Sequence, residues 1–251
     1  AADTVRNSLT RNIGIYDDRL FKADLYAERL IDDFQKAIEE HQFKVYFQPK
    51  FDIRPETPIL DSAEGLVRWE HPELGLISPG VFIPLFEENG LIQDLDTYVW
   101  RETARQICDW KSRLQNSVPV SVNVSRVDMY NPAVVYTLQD ILGEFRLDAK
   151  DMHLEITESA YAEDSEQIIE MVKKLRLVGH PVEMDDFGSG YSSLNMLSEM
   201  PIDCLKLDMK FIRTAFSGEK DLHMLEVIVN IADHLHVPVI AEGVETEEQL
   251  N

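Results

Sequence analysis

Acidic, amide and lysine side chains recur two residues apart within short apolar stretches of this chain, the spacing that puts side chains on one face of a β-strand. Glu64, Leu66 and Arg68 share such a face; so do Ser121, Asn123 and Ser125, then His153, Glu155 and Thr157, then Cys204, Lys206 and Asp208. Glu242 continues the face of Pro238 and Ile240. Asp185 and Asp186 are adjacent, so both cannot point inward from a regular strand; one is expected where the strand breaks into the Gly188-Ser189-Gly190 turn. Converging carboxylates repel, and desolvating each one is expensive unless cations neutralise it. Oxygen donors with one amide favour hard ions such as Mg²⁺ or Mn²⁺ over zinc, and the number of acids suffices for two ions sharing an aspartate. A lone strand-end acid is more often a helix cap or a solvated loop residue, so the set carries the reading. Lys206 reads either as a catalytic group or as the structural partner of a neighbouring acid, and Arg68 as half of an ion pair.

The elements that must position these residues are seven apolar runs, at 44–51, 60–69, 118–125, 152–158, 181–187, 204–208 and 237–244. Between them lie segments of helical period, among them 94–114, 165–178 and 222–235. Alternating runs of this kind predict an α/β fold, and a (β/α)₈ barrel is favoured over an open sheet, with active-site residues at the carboxyl ends of strands. No Gly-rich dinucleotide fingerprint follows an early strand, and no internal repeat appears. The 251 residues suit one large domain, and 44% hydrophobic against 28% charged residues place it among globular chains. With 24 basic and 46 acidic residues the formal charge is -22, which argues against binding DNA. Cys108 and Cys204 read as reduced core thiols. The polar N-terminus has no signal-peptide stretch and no run is long enough to span a bilayer, so a cytoplasmic setting without membrane contact is expected, although upstream domains of a parent protein could tether it.

In order, the stretches Tyr46-Phe47-Gln48-Pro49, Ala63-Glu64-Gly65-Leu66-Val67-Arg68-Trp69, Phe82-Ile83-Pro84, Val122-Asn123-Val124-Ser125 and Leu154-Glu155-Ile156-Thr157-Glu158 resemble the EAL-domain family of cyclic di-GMP phosphodiesterases. The segment from Asp185 to Leu194, Leu205-Lys206-Leu207-Asp208 and Ala241-Glu242-Gly243-Val244-Glu245-Thr246 continue the resemblance. It implies a modified (β/α)₈ barrel with one antiparallel strand, here at residues 37–251, with an eighth strand and a site glutamine beyond Asn251. Residues 1–36 are expected to be a connector, whose opening Ala1 to Leu20 is faintly similar to the tail of a preceding GGDEF domain.

The resemblance also implies roles. Glu64, Asn123, Glu155 and Asp185 are expected to ligate one metal ion; Asp185, Asp186 and Glu242 are expected to serve a second. Lys206 would contact or deprotonate the attacking water, with Glu64 and Asp185 completing the catalytic set. Glu158 would anchor the loop after Asp186; Gln48, Leu66 and Arg68 would face the substrate. The implied reaction opens cyclic di-GMP to linear 5'-pGpG, with Mg²⁺ or Mn²⁺ as cofactor and a homodimer as the assembly. Gly65 stands where the family signature has alanine. The alternative reading is a catalytically inactive domain that serves as a cyclic di-GMP receptor or regulatory module.

Overall fold

The computed structural model describes residues 18–114, 118–163, 165–188, 200–215, 219–244 and 246. The chain divides into two compact units, one of residues 1–44 and 67–92 and the other of residues 45–66 and 93–251.

The first unit holds helix α1 (Asp18–Glu39), the short strand β3 (Gly75–Ile77) and helix α2 (Pro79–Glu88). In α1 the residues Leu30, Phe34 and Ala37 recur four and three apart and are buried, which gives this otherwise polar helix an apolar stripe. The helix runs across the expected boundary between residues 36 and 37. Phe34, Phe43, Trp69, Phe82 and Phe86 form an aromatic cluster, with centroids 4.8 Å apart for Phe34–Phe86 and 4.9 Å for Phe43–Trp69. The buried Trp69 indole donates to Gln42 Oε1 at 3.0 Å, so its polar edge is satisfied.

The sheet comprises β1 (Phe43–Asp52), β2 (Ile59–His71), β4 (Val120–Asn123), β5 (Met152–Thr157), β6 (Val182–Phe187), β7 (Cys204–Leu207) and β8 (Val239–Ala241) in that spatial order, with β3 on β2. All seven expected runs are strands. β3 is antiparallel to β2, whereas β2, β4, β5, β6, β7 and β8 pair in parallel.

Sequential strands of one direction need crossovers, and the second unit supplies helices for them. They are α3 (Ile92–Leu114), the short α4 (Arg126–Met129), α5 (Val134–Phe145), α6 (Glu158–Glu163), α7 (Ser165–Val178), α8 (Met209–Ala215) and α9 (Glu219–His234). Ile168, Met171, Val172 and Leu175 give α7 a buried stripe at helical spacing, and Val134, Leu138, Ile141 and Leu142 do the same for α5. These helices share one core with Val120, Val122, Leu154, Ile156, Val182, Met184, Leu205 and Leu207. Because those strand residues face the helices, their neighbours one position away face the other side of the sheet. Those neighbours are Ser121, Asn123, Glu155, Glu183, Asp185 and Lys206. No helix among the described residues is long and apolar enough to cross a membrane.

Candidate active site

Parallel register sets the polar residues side by side: Glu64 opposes Ser121, Asn123 opposes Glu155, and Thr157 opposes Asp185. Lys206, on β7, reaches into this row and is almost fully buried. Its Nζ lies 3.1 Å from Glu64 Oε2, 2.9 Å from Glu155 Oε2, 3.0 Å from Asp185 Oδ1 and 2.8 Å from Glu242 Oε1. One ammonium thus stands among four carboxylates from four strands or strand ends. Burial alone would push the ammonium toward neutrality, but the surrounding Glu155, Asp185, Glu64 and Glu242 outweigh it and raise its pKa. Sequence leaves open which influence prevails at Lys206; in the metal-free protein the carboxylates prevail.

The acids do not share this stabilisation equally. Burial pushes the Glu64 carboxyl up to about 7 and Asp185 up to about 6, with the charge of Glu155 adding to both and Lys206 opposing. Glu155 is buried most deeply, yet Lys206 and Lys50 overcome its desolvation and hold it down at about 2. Carboxylate oxygens of Glu64, Glu155 and Asp185 lie within 4.8 Å of one another, close enough to meet on a single ion. Glu155 Oε2 is buried and has no hydrogen-bond partner; its approach to Lys206 is an ion pair without hydrogen-bond geometry. An anionic oxygen with no hydrogen bond beside two further acids fits a hard divalent cation.

The aspartate pair resolves as the strand geometry requires. Asp185 is buried, whereas Asp186 is exposed, adopts a left-handed backbone with φ of 58° and donates its backbone N–H to Asp185 Oδ1 at 2.9 Å. The pairing of β6 with β7 shifts register between Met184 and Phe187 to accommodate this turn. Partial desolvation, with Asp208 and Glu242 nearby, raises the Asp186 carboxyl. Glu158, buried at the start of α6, accepts the Gly188 N–H at 3.1 Å through Oε2, directly after the aspartates. Residues 189–194 of the expected loop, Glu245, and residues 1–17 of the faint N-terminal similarity at Ala1 to Leu20 lie outside the described residues.

Close packing braces the same region. A Cβ on Gly188, whose φ is 92°, would come within 2.9 Å of the Phe211 ring; one on Gly243, whose φ is 66°, would meet Met209 Cβ at 2.9 Å. The first turn of α8 therefore touches the backbone that follows both Asp186 and Glu242. Gly65 is different: a methyl there would sit 3.4 Å from Ser121 O, Thr103 Oγ1 and Val45 Cγ1, which is ordinary contact, so alanine fits. The glycine leaves a small gap beside the buried, unpartnered Thr103 hydroxyl and leaves Glu64 in place.

Of the expected site residues, Glu64, Glu155, Asp185, Lys206 and Glu242 come together. Asn123 is exposed at the end of β4, and its carbonyl accepts the Trp100 indole N–H at 3.0 Å. Gln48 is exposed on β1 and Leu66 is half-buried on β2. Arg68 belongs to the first unit, where its Nη1 donates to Val67 O at 2.8 Å. Sequence reasoning missed Lys50. It is two residues from Gln48 and hence on its strand face, a signal that was present, and it contacts Glu155 and Glu183 at 2.8 and 2.7 Å. His153 Nδ1 lies 2.7 Å from the other oxygen of Glu183.

Comparison with known proteins agrees with this geometry. The family model described as EAL domain matches residues 31–251. A cyclic di-GMP phosphodiesterase of Escherichia coli, PdeR, is 36% identical over 217 residues, covering 86% of this chain and 32% of that protein. The bifunctional diguanylate cyclase/cyclic di-GMP phosphodiesterase MucR of Pseudomonas aeruginosa is 34% identical over 221 residues, covering 88% of this chain and 32% of its own length. The chain thus spans about a third of the length of these curated relatives. The structure of the PaMucR phosphodiesterase in a c-di-GMP complex superposes with a TM-score of 0.81 at 33% identity, covering 88% of this chain and 89% of that one. The fold is accordingly the α/β, modified (β/α)₈ barrel type expected from the sequence.

Proposed function

Since this chain belongs to the EAL-domain family, we propose that it is a phosphodiesterase domain, residues 37–251 following a connector, that hydrolyses cyclic di-GMP to linear 5'-pGpG with bound Mg²⁺ or Mn²⁺. The observation that carries the reading is the convergence of Glu64, Glu155 and Asp185 oxygens within 4.8 Å, with Glu155 Oε2 left without a hydrogen-bond partner. Glu64, Asn123, Glu155 and Asp185 would hold one ion, and Asp185, Asp186 and Glu242 a second. When bound, such ions acidify water and stabilise charge on the phosphoryl group.

The chain's own groups do the rest. In the metal-free protein Lys206 carries a proton at Nζ and is fixed by four acids, a position from which it would contact the attacking water or a phosphate oxygen. Glu158 steadies the backbone after Asp186, and Gln48, Leu66 and Arg68 would contact the nucleotide. The same reading places the domain in the cytoplasm and pairs it as a homodimer. The test is chromatography of cyclic di-GMP incubated with protein and Mg²⁺ or Mn²⁺: pGpG appears, and EDTA abolishes it. Tight binding without product under either ion would refute the enzyme and leave the receptor.

A further inference from the structure

Glu155 accepts hydrogen bonds through one of its two oxygens, Oε1; the other, Oε2, meets the Lys206 ammonium at 2.9 Å as an ion pair. Lys50 Nζ donates to Glu155 Oε1 at 2.8 Å, to Ser121 Oγ at 2.7 Å and to Glu183 Oε2 at 2.7 Å, which uses all three of its N–H donors. Ser121 Oγ in turn donates to the same Glu155 Oε1 at 2.5 Å. Two donors therefore occupy Oε1, while Oε2 has no hydrogen-bond partner and shares the Lys206 ammonium with Glu64 and Asp185. The assembly is rigid by burial: the side chains of Lys50, Glu155 and Glu183 are 9%, 0% and 3% exposed.

We propose that Lys50 is a specificity-determining positioning residue: by engaging Oε1 it makes Glu155 a one-oxygen ligand and biases the site toward small octahedral cations over Ca²⁺. The inference rests on the metal-binding reading above. Ca²⁺ takes about six to eight oxygens and accepts two from one carboxylate, whereas Mg²⁺ requires near-ideal octahedral geometry that single oxygens satisfy. A lysine that only balanced the charge of Glu155 and Glu183 would, when removed, strengthen binding of both cations by a similar factor. The ratio of the two affinities separates these roles, because the common electrostatic factor cancels.

The experiment titrates Mg²⁺ and Ca²⁺ calorimetrically into the metal-free full chain without nucleotide. Lys50→Met is combined with Glu183→Gln so that no unpaired carboxylate remains buried at 183, and Ser121→Ala is run beside it. The ratio of Ca²⁺ to Mg²⁺ dissociation constants is expected to fall about tenfold in the double variant, the lower end of what orienting partners of metal ligands control, and by less in Ser121→Ala. An equal shift of both constants overturns the proposal, read in the double variant or, if that does not fold, in Lys50→Met alone. Wild-type protein that binds neither ion refutes the metal reading as well. Mg²⁺-dependent turnover with an unaltered ratio sinks the role of Lys50 alone.

Discussion

Replacing Lys206 with methionine keeps most of the side-chain volume and deletes the ammonium that touches Glu64, Glu155, Asp185 and Glu242 at 2.8 to 3.1 Å. Removing one partner of a buried ion pair strands the other charge and costs about 3–5 kcal/mol. Here Glu64 and Asp185 already sit high enough to take up protons at neutral pH, which relieves part of the strain and favours the lower end, about 3 kcal/mol. For a chain of this size each kcal/mol is worth about 2–4 °C, so Lys206→Met should melt about 6–12 °C below wild type in EDTA. Divalent ions should compensate, because they occupy the same acids and meet one fewer positive charge. At saturation the gap narrows by RT ln of the ratio of the two dissociation constants, so a variant that binds Mg²⁺ about a hundredfold more tightly than wild type recovers about 2.7 kcal/mol, most of the gap. Scanning fluorimetry with and without Mg²⁺ measures this, with Lys173→Met, on an exposed i,i+3 pair with Glu170, as the silent control. A deficit that Mg²⁺ leaves untouched, or no deficit in EDTA, would refute the view that lysine and metal answer the same charge problem.

Two further outcomes are expected. Glu64 and Asp185 have folded pKa values of about 7 and 6, above their ordinary 4.5 and 3.8, so their contribution to stability is complete below the ordinary values and is lost as pH rises through the folded ones. Raising one pKa by a full pH unit corresponds to about 1.4 kcal/mol, so metal-free protein should lose about 3 kcal/mol between mildly acidic and neutral pH. Mg²⁺ affinity should rise over the same interval. A melting temperature that climbs with pH in EDTA would contradict the assigned directions. Glu158→Ala should weaken Mn²⁺ binding about tenfold or more although Glu158 is not proposed as a ligand, because its Oε2 holds Gly188 N–H at 3.1 Å beside the aspartates. Superimposable Mn²⁺ titrations would remove it from that role.

Strand identity was legible because apolar residues alternating with polar ones have few other uses, and all seven runs proved to be strands. β3 escaped notice because three residues, Gly75 to Ile77, are too few to show a period. α1 escaped for a different reason: its polar composition reads as a connector, and only the spacing of Leu30, Phe34 and Ala37 betrays a buried stripe. The break at Asp186 was legible from stereochemistry, since two adjacent acids cannot share a strand face. Lys50 was not, even though period two aligns it with Gln48. Its meaning depends on Ser121, Glu155 and Glu183, which belong to three other strands, and register between strands is not written in the spacing of any one of them.

That dependence on register explains why the direction in which the Lys206 pKa moves was also beyond the sequence. A lysine and several acids in one chain can lie far apart, and desolvation then lowers the ammonium; only when four carboxylates stand within 3.1 Å does their attraction exceed the loss of water. The two lysines divide the work unequally. Lys50 uses every donor on Ser121, Glu183 and Glu155, on the last at Oε1, the oxygen that Lys206 does not pair with. Lys206 contacts the oxygens that an ion would need. An arriving cation thus competes with Lys206 and leaves the Lys50 contacts intact, so metal binding should reorganise one lysine and spare the other. Glu155 would then stay held at Oε1 while the charge opposite its other oxygen is exchanged.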